Sequence, residues 1–538
     1  MPESDGIGQR RDSQTAHPAV RGSLWVEMGG ETVQPSFRST GLRGLELLVE
    51  RCRGPRPSTR LTALALACAL ALALPFAGGR ARAADEGLRV KPSLGWSSGD
   101  HRLDLNLVSR FRTEFWDAHA SEWDTFYALR TRVSAKYSFR NVVSLFAEFQ
   151  DSRIYDLSAP SASGAGGLYR DWGNPGTPSR VHGDDLRQVW LELRPTEGLG
   201  VRIGRQDIKL GTQAMYKEGN WKYLKIKRAS QRLVGTVGWT HGERSNDGVT
   251  AWYENDKHHV YGFFANPTTG VFDIDDAYSR QKHIRYGGVS WTAKRGTWLD
   301  NTEIRSFFLG YSDQRAAYPP GDGNGLEIYT LGFSAIGIYP MGAGNADLLI
   351  WTAVQFGDYG VLDHLAAAGV VEAGYQFTDV PTKPWLRAGI NIASGDGDAS
   401  DGDHGTFFNM LPTNHLYYGF ADRLAFQNLM DLFAQLKLKP HERVGVDISV
   451  HHFRLVNDDD AKYFGTGAFT RGANFGIGAN APTGDNSFGT EIDAVVSVSL
   501  CPGMSLAGGY SRMWGHDFLN TKADENVDFA FLQLTLKY

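Results

Sequence analysis

The chain has 538 residues, of which 42% are hydrophobic, 21% charged and 12% aromatic, and its formal net charge is -5 at pH 7. The mean hydropathy of -0.32 is too low for a bundle of membrane helices. Three cysteines are too few for a disulfide framework, and the acidic balance argues against a general nucleic-acid-binding protein. A large soluble β protein and a membrane β-barrel both fit this composition.

The first segments in chain order predict export. A continuous apolar run covers residues 61–79, arginines precede it, and the small-x-small motif A-R-A follows at 81–83. A charged segment, an apolar core and such a cleavage motif are typical of a secretory signal peptide. We therefore predict a signal peptide over 58–83, a non-structured upstream extension over 1–57 that reflects a misassigned start, and one barrel domain over 84–538. A single membrane-spanning helix is the alternative for the apolar run.

Short alternating segments follow the predicted signal peptide. In the first of them, Leu103, Leu105 and Phe111 share one face, whereas Arg110 and Arg112 fall on the other. Successive side chains of a strand point to opposite faces, so the segment is a strand with one apolar and one polar face. Eighteen such strands are predicted to begin near residues 102, 124, 142, 184, 199, 247, 258, 284, 302, 326, 345, 369, 384, 426, 443, 488, 504 and 527.

The connections between these strands alternate in length. The short ones are 140–141, 195–198, 255–257, 295–301, 339–344, 378–383, 438–442 and 501–503. The others are longer, most of all 153–183, 211–246, 394–425 and 454–487. This parity predicts an all-β transmembrane barrel of about 18 antiparallel strands, with short periplasmic turns and long extracellular loops. A soluble sandwich or solenoid is the alternative, but the arginines and glutamates of the polar face would be costly to bury in a closed core.

The last strand, FAFLQLTLKY, ends at Tyr538 and places Ala530, Leu532, Leu534 and Leu536 on one face. It looks like the carboxy-terminal signal by which the barrel assembly machinery recognises outer-membrane proteins. We therefore predict that machinery and outer-membrane lipid as partners, no nucleic acid, and the Gram-negative outer membrane as the location.

Several motifs resemble those of the outer-membrane alginate export family. They are DLRQVWLEL at 185–193, GLGVRIGRQDIKLG at 198–211, SGDGDASDGDHGTF at 394–407, LPTNHLYYGFAD at 411–422, QNLMDL at 427–432 and GTEIDA at 489–494. The resemblance implies an eighteen-stranded barrel with a charged lumen and passive export of an anionic, alginate-like polysaccharide. The alternative is a general or solute-specific porin that does not act on alginate, which the acidic charge and the very short turn 501–503 leave open.

Charged residues on the polar face are the candidates for the transport path. Arginine suits a polyanion because its guanidinium binds carboxylates in a bidentate fork. Strand phase predicts a lumen position for Arg110, Arg112, Arg130, Arg132, Lys136, Glu148, Arg202, Arg387 and Asp431. Arg205 belongs to a matched motif, but alternation places it on the lipid face. Either a bulge shifts the phase there or Arg205 lies at the rim.

Two long loops add further candidates. The segment GNWKYLKIKR interleaves Lys222, Lys225, Lys227 and Arg228 with aromatic residues that could support a sugar acid. A loop hairpin with lysines reaching for solvent is the alternative. Loop 153–183 either folds inward as a gate or is merely mobile.

The sequence contains no catalytic motif, so we predict neither an enzyme nor a cofactor. Four aspartates of loop 394–425 look like calcium ligands, namely Asp396, Asp398, Asp401 and Asp403. The spacing fails the EF-hand pattern at Ser400, so a turn-rich acidic loop is preferred to a metal site.

Overall fold

The structure is a computed structural model, and it describes residues 94–117, 123–157, 169, 180–268, 270, 283–315, 325–468, 474–516 and 526–538. The predicted signal peptide and upstream extension lie outside these ranges, and both stay predictions. Among the described residues, no helix is both long and apolar enough to cross a membrane.

Antiparallel strands dominate the described residues. The strands are β1 Leu94–Ser98, β2 His101–Asp117, β3 Asp124–Phe139, β4 Val143–Tyr155, β5 Arg180–Thr196, β6 Leu199–Gln206, β7 Asn246–Glu254, β8 His258–Pro267, β9 Ile284–Ala293, β10 Thr302–Asp313, β11 Leu326–Met341, β12 Gly344–Tyr359, β13 Leu362–Phe377, β14 Trp385–Ala393, β15 Asp403–His404, β16 Leu429–His441, β17 Val444–Arg454, β18 Lys462–Ala468, β19 Ile477–Asn480, β20 Ser487–Cys501, β21 Met504–Gly515 and β22 Asn526–Lys537. The helical segments are α1 Gly219–Tyr223, a π-helical turn Leu224–Ala229, and the 3-10 turns Asn414–Leu416 and Asn474–Gly476.

Eighteen strands close into one antiparallel barrel, which confirms the predicted fold. They are all the strands except β1, β15, β18 and β19, and each pairs with its neighbours in chain order. The ring closes where β22 pairs with β2, from Val108 opposite Lys537 to Asp117 opposite Asp528. Closure leaves no unpaired edge around the ring, which is the condition for a sheet in lipid.

The two ends of the barrel differ in their connections. At one end, the short-turn end, the strands are joined by 140–142, 197–198, 255–257, 294–301, 342–343, 378–384, 442–443 and 502–503. Gly198 illustrates how tight these turns are, because its φ is 77° and a Cβ there would lie 2.1 Å from the carbonyl oxygen of Glu254. The opposite end, the long-loop end, carries the extended connections.

The faces of the barrel divide as the alternation predicts. On β11, Leu331 is 58% exposed on the outer wall, whereas its neighbour Thr330 is fully buried inside. On β3, Val133 is 53% exposed, whereas Arg130 is 7% exposed. The outer wall is therefore apolar and suited to lipid, and the inner wall is polar. This division explains how a membrane barrel has a low mean hydropathy.

Two long connections fold into the barrel. The first lumen loop, residues 207–245, joins β6 to β7, and the second lumen loop, residues 394–428, joins β14 to β16. They meet in a parallel bridge between Val234 and Leu411. There the amide of Leu411 donates to the carbonyl of Leu233 at 3.0 Å, and the amide of Gly235 donates to the carbonyl of Leu411 at 2.8 Å. The lumen is thus filled by two loops that support each other.

Candidate transport path

The first lumen loop runs from the long-loop end of the barrel to the short-turn end. Its lowest part contacts the start of β10, where the Tyr216 hydroxyl donates to Glu303 at 2.7 Å. The next contact is with the short turn 294–301, where Arg295 forms an ion pair with Glu218 at 3.0 Å. Because the loop begins and ends at the long-loop end, it crosses the lumen twice.

Glu243 fixes the first lumen loop to the arginine-rich wall. Its carboxylate lies 2.8 Å from Arg130, 2.5 Å from Arg132, 3.2 Å from Arg187 and 3.6 Å from Lys209. Arg130 and Arg132 were predicted to face the lumen, and they do, but their charges are engaged by this loop. One carboxylate therefore joins the loop to strands β3 and β5.

The ionisation of Glu243 follows from these cations. Burial opposes the charged form, but Arg132, Arg187, Lys209 and Arg130 outweigh it and hold the pKa of Glu243 well below its ordinary value of 4.5. The Thr236 hydroxyl donates a further hydrogen bond to the same carboxylate at 2.9 Å. Glu243 is thus a carboxylate throughout the neutral range.

Arg110 and Arg112 bind the backbone of the same loop. Arg110 donates to the carbonyl oxygens of Gly238 at 2.9 Å and Thr240 at 2.6 Å. Arg112 donates to the carbonyl of Trp239 at 2.8 Å, and its guanidinium carbon lies 3.7 Å from the centroid of the Trp239 ring. The four arginines predicted on β2 and β3 thus form one surface, and the first lumen loop covers it.

A second carboxylate holds three arginines on the opposite wall. Glu372 on β13 lies 2.8 Å from Arg228, 3.0 Å from Arg232 and 2.9 Å from Arg387. Arg387 also pairs with Asp347 at 3.0 Å. Arg387 faces the lumen as strand phase predicts, and Arg228, a loop candidate, is buried in the same cluster. Both are occupied by protein carboxylates.

The segment 219–228 is helical, so the hairpin alternative was wrong. Lys225 is buried against Glu303 at 2.5 Å. Lys222 and Lys227, by contrast, are exposed. The helical turn separates the four basic residues because residues two apart point in different directions on a helix. The two-residue alternation of a strand therefore does not predict where these four side chains point.

Lys136, Glu148 and Arg202 lie on the inner wall. Arg202 stacks on Trp190, with its guanidinium carbon 4.1 Å from the ring centroid, and the Lys136 ammonium lies 6.0 Å from the same centroid. Glu148 forms an ion pair with Arg187 at 2.5 Å. These groups are a patch of wall separate from the Glu372 cluster.

Asp431 is fully buried on β16. His451 approaches its carboxylate at 3.0 Å, and the Asn391 amide donates to it at 2.9 Å. The Asp431 carboxylate is therefore engaged by side chains of the neighbouring strands.

Arg205 keeps the outward phase and lies next to the last residue of β6. Its guanidinium pairs with Asp247 at 2.7 Å and with Asp185 at 3.2 Å. The strand ends at Gln206, so Arg205 is at the rim near the long-loop end. The register shift of this region occurs instead between β4 and β5, next to Arg187.

The second lumen loop places an aromatic stack over the path. His415 stacks on Trp239 with ring centroids 3.9 Å apart and on Phe420 with centroids 4.7 Å apart. On the wall, Glu491 of β20 accepts a hydrogen bond from the amide of Ala421 at 2.9 Å. Gly419 makes this docking possible, because its φ is 78° and a Cβ would lie 2.4 Å from a Glu491 oxygen.

Below the bridge between the two lumen loops, and beside the lower part of the first loop, lies a cavity of about 1440 Å³. It is lined by residues of the short turns, by α1 and the π-helical turn, and by Trp239, Tyr417 and Phe420 above. Its basic residues are Arg110, Lys209, Lys227, Arg228, Lys383, Lys437, Lys439 and Arg443, and its acidic residues are Glu243, Glu442, Asp447 and Asp493. The cavity thus has twice as many cations as carboxylates.

Lys383, Lys437, Lys439 and Arg443 were missed by the sequence analysis. They belong to the turn 378–384 and to the end of β16 with its following turn. The signal available was the concentration of basic residues in KLKPHER at 437–443. They lie at or beyond the strand ends, where alternation alone does not distinguish a lining residue from a turn residue.

The remaining candidate groups contribute little to the path. In the part of the chain that the structure describes, no three His, Cys, Asp or Glu residues come together as a metal site. The Asp398 carboxylate instead accepts hydrogen bonds from the backbone and hydroxyl of Ser400 at 3.0 and 2.5 Å. Most of loop 153–183 lies outside the described residues. Tyr169 is buried, and its hydroxyl accepts a hydrogen bond from the amide of His241 at 2.7 Å.

Comparison with known proteins gives one family and one fold. The family model described as alginate export matches residues 101–533. No curated protein matches the chain. Among solved structures, OccAB1 of Acinetobacter baumannii is 11% identical with a TM-score of 0.52, over 81% of this chain and 96% of that chain.

Two Pseudomonas aeruginosa structures have the same fold and contain small carboxylates. OccK2 (OpdF), solved in complex with glucuronate, is 8% identical with a TM-score of 0.50, over 81% of this chain and 96% of that chain. OpdK with vanillate is 8% identical with a TM-score of 0.51, over 81% of this chain and 98% of that chain. At such identities the likeness establishes the fold, which is that of outer-membrane porins.

Proposed function

Because the chain belongs to the alginate export family, we propose that this outer-membrane channel passes an anionic, alginate-like polysaccharide. The family and the porin fold support the channel itself. The choice of a polyanion as the solute rests on the charge of the path.

The observation that carries the proposal is the excess of cations in the cavity beside the first lumen loop. Eight lysines and arginines line it against four carboxylates. Such an excess within a low-dielectric wall raises the local concentration of anions and disfavours cations. It persists although the predicted mature chain is acidic overall, since the carboxylates are distributed elsewhere.

The lining also suits a sugar. Tyr223, Trp385 and Phe433 lie beside the cations of the cavity. The Lys437 ammonium lies 4.2 Å from the centroid of the Tyr223 ring. A uronate unit presents a carboxylate and an apolar ring face, and this pairing of cations with aromatic rings complements both. Glucuronate in the OccK2 structure is a unit of the same chemical class.

A porin for small anionic solutes is the second candidate. The observation that favours it is the packing of the two lumen loops, which meet at Val234 and Leu411 above the cavity. A polymer needs a continuous path past this bridge, whereas a small acid needs less room. The two candidates therefore differ in the length of solute that passes.

Single-channel recording in planar bilayers tests the proposal. We expect a reversal potential that indicates anion selectivity, and transient block by oligouronates of several units. A neutral oligosaccharide of equal length is the control and should not block. Cation selectivity without block would contradict the proposal, and block by monomeric uronate alone would favour the small-solute porin.

Export and assembly belong to the same proposal. We propose that a signal peptide over 58–83 directs the chain to the outer membrane and that its last strand, ending at Tyr538, is recognised by the barrel assembly machinery. The amide of Tyr538 donates to the carbonyl of Leu107 at 2.8 Å, and the amide of Leu107 donates back at 2.9 Å. The carboxy-terminal residue is thus part of the closing pair of strands, which supports a role in assembly.

A further inference from the structure

Four cations line the cavity where it opens at the short-turn end. Lys383 is in the turn 378–384, Lys439 is near the end of β16, Arg443 is in the following turn, and Lys227 is on the π-helical turn facing them. All four side chains belong to exposed residues. We call them the mouth cations.

The mouth cations differ in their partners from the arginines that Glu243 and Glu372 hold. Arg130, Arg228 and Arg387 each form an ion pair with a protein carboxylate. Within the described ranges, none of the mouth cations has a carboxylate at ion-pair distance. Arg443 makes a hydrogen bond to the carbonyl of Leu500 at 3.3 Å, which leaves its charge uncompensated.

Two carboxylates moderate the field at this mouth. Asp447 is engaged by Lys437, and its other oxygen accepts a hydrogen bond from Gln435 at 2.9 Å. Glu442 lies between Lys439 and Arg443 in the chain and also lines the cavity. The mouth cations therefore keep a net positive charge after both are counted.

The long-loop end has the opposite character in the part of the chain that is described. Five aspartates of its loops are exposed, namely Asp398, Asp401, Asp403, Asp458 and Asp459. Exposed cations are fewer there, and one of them, Arg153, is paired with Asp151 at 2.9 Å. Among the described residues, the exposed charges of these loops are thus mainly acidic, whereas the charges that line the cavity at the short-turn end are mainly basic.

We propose that the mouth cations are a capture site for the carboxylates of a uronate chain, so that the chain associates faster from the short-turn end than from the long-loop end. This inference rests on the proposed function, because it presumes that the channel accepts uronate polymers. Uncompensated cations at an opening attract an anionic chain before contact, and this steering raises the association rate. Cations already bound by protein carboxylates contribute little to it.

One-sided block of single channels tests the capture site. A defined oligouronate is added to one chamber at low ionic strength, and the association and dissociation rates of block are measured from that side. The double variant Lys383→Gln/Lys439→Gln should lower the association rate from the short-turn end by roughly tenfold, within the range of electrostatic steering. The rate from the long-loop end and both dissociation rates should change much less.

A matched variant controls for the loss of an uncompensated positive charge. Lys257 is exposed on another short turn, has no carboxylate at ion-pair distance among the described residues and is not among the residues that line the cavity. The variant Lys257→Gln should leave all four rates within about twofold of the parent, whereas Lys383→Gln alone should lower the association rate from the short-turn end. Added salt should reduce the difference between the parent and the Lys383→Gln/Lys439→Gln variant, since screening shortens the range of the field.

The orientation of each channel is needed for this comparison. Biotin coupled to an Asp256→Cys, Cys501→Ser variant marks the short-turn end, because streptavidin in one chamber then reaches only channels that present this end. Equal association rates from both sides, or a loss of rate that the control variant shares, would overturn the capture site. Absence of block from either side would instead refute the proposed function.

Discussion

Removal of the Glu243 charge should release the first lumen loop from the barrel wall. In Glu243→Gln, Arg187 and Lys209 keep Asp207 as a carboxylate partner. Arg130 and Arg132 have no second carboxylate at ion-pair distance among the described residues. Their side chains are only 8% and 12% exposed, so water compensates them poorly.

The size of the effect follows from this loss. Leaving a buried charge without its partner costs about 3–5 kcal/mol. The remaining contacts of Arg130, such as its 3.3 Å hydrogen bond to the carbonyl of Thr240, place the change at the lower end. At 1.4 kcal/mol for each factor of ten, 3 kcal/mol shifts the ratio of docked to undocked loop by roughly 100-fold.

Single-channel conductance and its noise report loop docking directly. The parent should give a steady current, and Glu243→Gln should show discrete excursions to a higher conductance, together with faster proteolysis within residues 207–245. Glu254→Gln is the control, since Glu254 pairs with Lys294 at 2.6 Å outside the lumen cluster. A variant with unchanged noise and unchanged proteolysis would show that the backbone contacts of Arg110 and Arg112 hold the loop without Glu243.

Three further outcomes are expected. The pKa of Glu243 is held below 4.5, so its contribution to loop docking is complete above pH 4.5 and is lost as the pH falls further. The noise of the single-channel current should therefore stay constant from pH 8 to 5 and rise only in stronger acid. Gly419→Ala should undock the second lumen loop, since the new methyl group meets Glu491 and φ is positive, and thermal unfolding in detergent should begin at a lower temperature by several degrees. Deletion of Tyr538 removes its two hydrogen bonds with Leu107 and should reduce the amount of assembled barrel in outer-membrane fractions; an undiminished amount would argue against its role in assembly.

The strands were predictable because alternation is a local property. Each strand needs only its own residues to display one lipid face and one lumen face, and the predicted starts 124, 199 and 504 coincide with β3, β6 and β21. The start of β13 was placed near 369, but the strand begins at Leu362. The reason is chemical, because the residues from Ala366 to Ala368 are small on both faces and show no alternation.

The path was less predictable because its contacts join distant parts of the chain. Strand phase places Arg110 and Arg130 in the lumen, but it does not reveal that Thr240 and Glu243 of a loop bind them. The fold of the first lumen loop decides whether a cation is free or paired. Part of that loop, residues 219–229, is helical, and strand alternation does not predict a helix. The charge of a side chain and the face on which it lies can be inferred from the sequence of a strand. Whether that charge is free to bind a solute cannot.

Trp239 contacts both strands of the pair that closes the barrel, β2 and β22, from inside the lumen. Its ring lies against Arg112 of β2 at 3.7 Å and against Phe531 of β22, with ring centroids 5.1 Å apart. These two strands are the pair that closes the ring. Trp239 itself belongs to the first lumen loop, which joins β6 to β7. Separation of the closing pair therefore breaks a contact of Trp239 with one of these strands, in addition to the hydrogen bonds between the strands. We expect that loosening of the first lumen loop would both widen the path and speed the opening of the barrel.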